Sequence, residues 1–203
     1  MKRIWISLLA VMLAVILPVS ALALTSASKV ESVPSGNGGY ARDYVLSFGV
    51  EHKLGECKST TTYRVYSAPS LNAVRGANGK ASMLKDEAAD SAGWNGAWLL
   101  VRYGKVNGGY RVGWIPKSEL NMRSIEATRN VNFAYWPVTL EKDCILTDDP
   151  LLESEVLAYA SAGEQLTYLA FYQYNGGKEY AYVQGDLNGK PVCGFIPFDA
   201  IAW

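Results

Sequence analysis

The chain has 203 residues, with 19 Lys and Arg against 19 Asp and Glu, one His and three Cys. That length admits one large or two small domains. Zero net charge argues against a nucleic-acid partner, whose phosphates a basic surface must neutralise, and one His with three scattered Cys offers no metal-ligand spacing.

At the N-terminus, Lys2 and Arg3 precede an uncharged stretch, residues 4–28, nearly all apolar as far as Leu17. Pro18 ends the run, and Ala21-Leu22-Ala23 has the small-x-small form of a cleavage site. This basic, apolar, small-residue order assigns residues 1–23 to a secretory signal peptide. A retained anchor is the alternative, since the apolar stretch approaches the ~20 residues of a spanning helix. Cleavage implies a protein that is secreted or cell-wall associated, with no membrane contact afterwards. It also removes Lys2 and Arg3, leaving 17 basic against 19 acidic residues. Residues 24–43, small, polar and rich in Gly and Ser, read as a flexible linker.

Beyond the linker no long helical period appears. Short apolar alternations, rich in Val, Ile and aromatic residues and separated by turn residues, predict strands. They begin at Tyr44, Thr62, Ala97 and Tyr110, and again at Asn130, Asp143, Glu164, Tyr180 and Val192. The Asn-Gly-Gly runs within 106–109 and 174–177 predict hairpin turns. Residues 81–90 read as either a helix or a loop.

The chain also repeats itself. Pro69 matches Pro150, Leu71 matches Leu152, and Gly113-Trp114-Ile115-Pro116 matches Gly194-Phe195-Ile196-Pro197, each pair 81 residues apart. Residues 98–101, "WLLV", match 180–183, "YAYV", with one residue of slippage. Two units of about 80 residues follow, 44–123 and 124–203, each large enough for a small core of its own. The first holds eleven basic and six acidic residues and the second four and eleven, net +5 and −7. Such asymmetry suggests docking of one half on the other, or distinct partners; two ordinary solvated surfaces are the alternative.

The strand running into "SAPS", the Trp98-x-x-Val101 strand and the Gly113-Trp114-Ile115 segment resemble the bacterial SH3 domain, SH3b, and the resemblance extends over most of 60–203. It departs from the family where Tyr66 and Leu146 replace the arginine before the turn, and Ala68 and Asp149 replace the turn glycine. The resemblance implies an all-β chain of two tandem SH3-like small barrels, after a signal peptide and linker. It further implies a non-catalytic binding role, toward peptidoglycan or an extracellular protein or peptide, without a cofactor. A protein–protein adaptor, or a self-associating surface protein exploiting the charge split, is the second reading.

Catalysis has little to rest on. His52 stands five residues before Cys57, but a Cys–His nucleophile requires hydrogen-bond reach, and the longer signatures of families that use such pairs are absent. Asp86, Glu87 and Asp90 read as a charged loop. Among the aromatics, Trp98, Trp114 and Phe195 occupy the most regular positions and are assigned to barrel cores. Alternation places Tyr168, Tyr172 and Tyr174 on one face and Phe171 on the other. Trp94, Tyr172 and Tyr174, beside turns, are the candidate ligand-binding platform, since flat exposed rings suit sugars or an extended peptide.

Three cysteines in an exported chain permit three single bridges. Because the first and last strands of an SH3-like barrel are neighbours, the resemblance favours Cys144–Cys193, with Cys57 a free thiol. The alternative is that all three are small buried apolar residues.

Overall fold

The computed structural model describes residues 41–49, 51–54, 62–85, 87–105, 108–120, 129–151, 156–174 and 177–203. Residues 1–23, read above as a signal peptide, most of residues 24–43 and Cys57 lie outside them. Among the described residues, no helix is long and apolar enough to cross a membrane.

The architecture is all-β, with a curled, half-barrel sheet. Strands β1 (Glu51–Lys53), β2 (Thr62–Arg64), β3 (Ser82–Leu84), β4 (Ala88–Asn95), β5 (Trp98–Gly104) and β6 (Tyr110–Pro116) belong to the first repeat. The second contributes β7 (Trp136–Leu140), β8 (Cys144–Thr147), β9 (Val156–Ala160), β10 (Gln165–Tyr174), β11 (Lys178–Leu187), β12 (Lys190–Pro197) and β13 (Ile201–Ala202). Within residues 81–90, 82–84 form β3 and 88–90 begin β4, where a helix or a loop was expected.

The repeat in sequence is a repeat in pairing. One sheet runs β1-β4-β5-β6, and the larger sheet contains the matching run β7-β10-β11-β12. The pair β2–β3 matches β8–β9. Tyr66 bridges Trp114 as Thr147 pairs with Phe195. Each Gly-aromatic-Ile-Pro strand ends in a single 3-10 turn, Lys117–Glu119 or Phe198–Ala200, entered from a proline whose fixed φ suits the first turn.

Strand alternation sorts the apolar side chains into three cores. Tyr63, Leu99, Val101, Tyr103 and Ile115 fill the first repeat's own core. Leu166, Tyr168, Ala181, Val183 and Ile196 belong to the second's. The opposite faces meet in a third core between the repeats, formed by Tyr66, Leu100, Val112 and Trp114 against Tyr172, Tyr180, Tyr182, Cys193 and Phe195. Trp114 and Phe195 are thus buried as expected, but between the repeats rather than inside either one.

The contact between repeats has an approximate two-fold character. Val112 donates its N–H to the Asp148 carbonyl at 2.7 Å, and Cys193, 81 residues later, donates to the Ser67 carbonyl at 3.0 Å. Part of the charge asymmetry is used here: Arg111 Nε meets Asp148 Oδ2 at 2.8 Å, and Lys105 Nζ meets Asp149 Oδ2 at 3.0 Å. These carboxylates are buried, and burial without a partner would be costly.

The segments leading into the repeats are exchanged. In the first arm, Leu46 donates to Phe171 and Phe171 to Tyr44, both at 2.7 Å, so the arm begins against β10 of the second repeat. Only after Gly49 bonds the Ser91 carbonyl does the chain join its own repeat as β1. In the second arm, Val131 donates to Trp94 and Trp94 to Arg129, both at 2.9 Å, against β4 of the first repeat. It then returns through Ala134 to β7 and its own β10. The strand expected from Tyr44 is therefore an arm shared between repeats.

Candidate functional site

The structure does not assemble the predicted aromatic platform. Trp94 is half-buried against the first repeat's core, with Lys117 Nζ 5.8 Å from the centre of its ring. Tyr172 is only 6% exposed, and its ring packs on Phe48 and Phe195 in the core between repeats. Tyr174 is half-buried against that same core. The alternation argument fails at an irregularity in β10 between Tyr168 and Ala170. A bulge adds a residue and changes which side chains share a face, so Tyr168 enters the second repeat's core while Tyr172 enters the shared one.

The expected Cys144–Cys193 bridge is also absent: both are free thiols. Phe195 pairs with Thr147, and because the strands run antiparallel Cys193 and Cys144 lie on opposite sides of that pair, two and three residues from it. Five residues at ~3.3 Å each separate them by about 16 Å, against the roughly 5.5–6 Å of a disulfide. Cys144 leans on the second repeat's core and Cys193 lies in the shared one. Burial pushes the Cys144 thiol up to about 11 and the Cys193 thiol up to about 12.

Raised thiol pKa values favour the protonated, folded state. Their contribution to stability is complete below the ordinary ~8.5 and fades as pH climbs toward the folded values. In a Cys57→Ser background at pH 8, both thiols are expected to react with a soluble disulfide reagent at least ~100-fold slower than in the unfolded chain, since thiolate is the nucleophile. Cys193 should become reactive only as the repeats separate. Rapid labelling of Cys193 under native conditions would contradict its placement in the shared core.

A concave site lies elsewhere, between the exchanged arms. A cleft of about 300 Å³ is lined by Asp43, Val45, Leu46 and Ser47 of the first arm and by residues 129–133 of the second, with Ala92 of β4 and Ala170 of β10 completing it. Its volume is at the lower end of the ~300–1,000 Å³ usual for small-ligand sites. The Arg129 guanidinium reaches across to the Ser47 hydroxyl. Gly93 permits the close approach of the second arm: a Cβ there would stand 2.3 Å from the Arg129 carbonyl oxygen.

The two walls are equivalent in backbone but not in side chain. Val45, Leu46 and Ser47 correspond to Asn130, Val131 and Asn132, each 85 residues on. The second wall therefore carries two amides and a guanidinium, where the first carries the Asp43 carboxylate and the Ser47 hydroxyl beside Val45 and Leu46. None of these residues was singled out from sequence, because each arm alone reads as an unremarkable linker or short strand.

Among the described residues, no group of three or more His, Cys, Asp and Glu is placed to hold a metal ion. The proposed His52–Cys57 pair cannot be placed, Cys57 being outside the described residues.

No protein-family model matches the chain, and no curated protein matches it. Two solved structures are similar, those of NlpC2 and NlpC1 from Trichomonas vaginalis. Their identities are 17% and 18% and their TM-scores 0.28 and 0.26, over 78% and 83% of this chain. The chain spans about half the length of each, 49% and 52%.

Proposed function

We propose that the protein is an exported, non-catalytic binding protein whose two repeats act as SH3b-like modules and whose ligand is a cell-wall peptidoglycan component or a peptide. The observation that carries this reading is the cleft between the arms. It is concave, carries polar side chains on both walls, and is framed by backbone from both repeats. A site of this construction binds through hydrogen bonds and shape. The raised thiol pKa values of half-buried Cys144 and buried Cys193 leave these two thiols unsuited to nucleophilic attack. In this reading residues 1–23 are removed on export and the product is secreted or held at the wall.

The adaptor reading draws on the charge split, but Lys105, Arg111, Asp148 and Asp149 spend part of that charge on one another. Sedimentation with purified peptidoglycan at moderate salt tests the binding reading. The protein is expected in the pellet, displaced when Arg129 is replaced by Glu. Recovery of the wild-type protein wholly in the supernatant would overturn the wall-binding reading.

A further inference from the structure

From the open backbone edges of the two arms, we infer that the cleft takes a short extended peptide with small side chains and a carboxylate, bound in one direction. The inference rests on the binding reading above and specifies its ligand.

The argument begins with hydrogen bonds already made. In the first arm the Tyr44 carbonyl and the Leu46 N–H face β10. In an extended chain, successive residues turn their backbone groups to opposite sides, so the N–H and C=O of Val45 turn away from β10. The same holds for Asn130, whose neighbours Arg129 and Val131 spend their carbonyl and N–H on Trp94 of β4. Val45 and Asn130 both line the cleft, and both are exposed. Each wall therefore offers one N–H and one C=O, the set an added strand uses when a peptide extends a sheet edge.

The remaining lining narrows the ligand. Ala92 and Ala170, one from each repeat, leave room for backbone and small side chains, and the cleft's size suits a few such residues rather than a folded partner. A two-fold frame alone would accept a peptide in either direction. The side chains remove that ambiguity: Arg129, Asn130 and Asn132 stand on one wall, opposite Val45, Leu46 and Ser47 on the other. Arg129 is suited to a carboxylate through paired N–H donors. Its hydrogen bond to the Ser47 hydroxyl has a neutral acceptor, which a carboxylate can replace with an ion pair. Asp43 on the first arm disfavours a carboxylate there, so the charged end is directed to the second arm.

The probes are tri-alanine with a free carboxylate, its C-terminal amide, its backbone N-methylated analogue, and a chitin oligosaccharide. Each is titrated into the purified protein while the amide resonances of Val45 and Asn130 are followed. Tri-alanine is expected to shift both amides. Capping its carboxylate, or replacing Arg129 with Gln, should weaken binding about ten-fold, the loss of one charge-assisted contact. N-methylation should abolish the shifts with the protein unaltered, so this arm does not depend on a variant's folding. Tri-alanine that leaves both amides unmoved would overturn the inference, as would binding indifferent to N-methylation or shifts produced by the oligosaccharide alone. Sedimentation with peptidoglycan in parallel separates the two claims. Retention without peptide shifts defeats the peptide mode and spares wall binding; peptide shifts without retention do the reverse.

Discussion

Replacing Trp114 with Ala is expected to destabilise the whole described fold by about 3–5 kcal/mol, the usual cost of emptying a large aromatic site in a packed core. Trp114 is fully buried, and its indole N–H donates to the Tyr182 hydroxyl at 3.0 Å across the contact between repeats. Its ring also meets Phe133 edge-on at 6.0 Å. Tyr182 in turn packs on Phe195, with ring centres 4.9 Å apart. The loss therefore reaches three aromatic residues of the second repeat. Tyr182→Phe keeps the ring and removes the hydroxyl, which accepts from the indole and also meets the Cys193 side chain, leaving the indole N–H only the weaker sulfur acceptor of Cys193. That substitution should cost less, about 1–3 kcal/mol. Chemical denaturation of the three proteins checks both values. Since the repeats share one core, fluorescence and circular dichroism should report a single coincident transition in the wild type. If Trp114→Ala costs no more than Tyr182→Phe, the shared core does not hold the repeats together.

The second large effect is expected at the repeated glycines, Gly113 and Gly194. Each sits where the closing strand of its repeat runs close under an earlier segment. A Cβ on Gly113 would lie 2.3 Å from Val65 Cγ1 and 3.0 Å from the Tyr66 carbonyl oxygen. On Gly194 it would lie 2.9 Å from the Thr147 carbonyl oxygen and 3.3 Å from Leu146 Cβ. Neither site has room, and backbone must move, so Gly113→Ala and Gly194→Ala should each cost about 2–3 kcal/mol, as overpacked cores do. Gly177 is the control: nothing lies within 4 Å of a Cβ there, and Gly177→Ala should change stability by no more than ~0.5 kcal/mol. Equal effects at all three positions would mean that close approach is not why glycine occupies the repeated motif.

Those glycines also show what could be read without a structure. The 81-residue spacing of Gly-aromatic-Ile-Pro is a local pattern with a local cause, a crossing that admits no side chain, and it marked both closing strands. Strand alternation likewise located β5, β6, β11 and β12. What escaped was anything dependent on partner choice. An arm's hydrogen bonds go to whichever edge is nearest in space, and nothing in residues 44–46 specifies that the edge is Phe171 rather than a strand of their own repeat. The face of Tyr172 was misread because one irregular position in β10 reverses the sense of alternation beyond it. The aromatic contacts of Trp136 with Tyr44 and Tyr168, and of Trp203 with Tyr168, join residues remote in sequence and had no spacing to betray them. The cleft is hidden for the same reason: its walls are 85 residues apart.

The exchange of arms has a consequence for the order in which the chain can complete itself. As the polypeptide emerges from its N-terminus, β4 of the first repeat lacks the edge contact at Trp94 until residues 129–131 have followed. The first arm must wait longer, for Phe171 near the end of β10. Neither half can therefore close early and leave the other to fold at leisure. Contacts of such long sequence separation delay folding, because loop closure precedes any stabilising contact. A nascent chain built this way keeps both halves open until β10 has been made, and then closes them together.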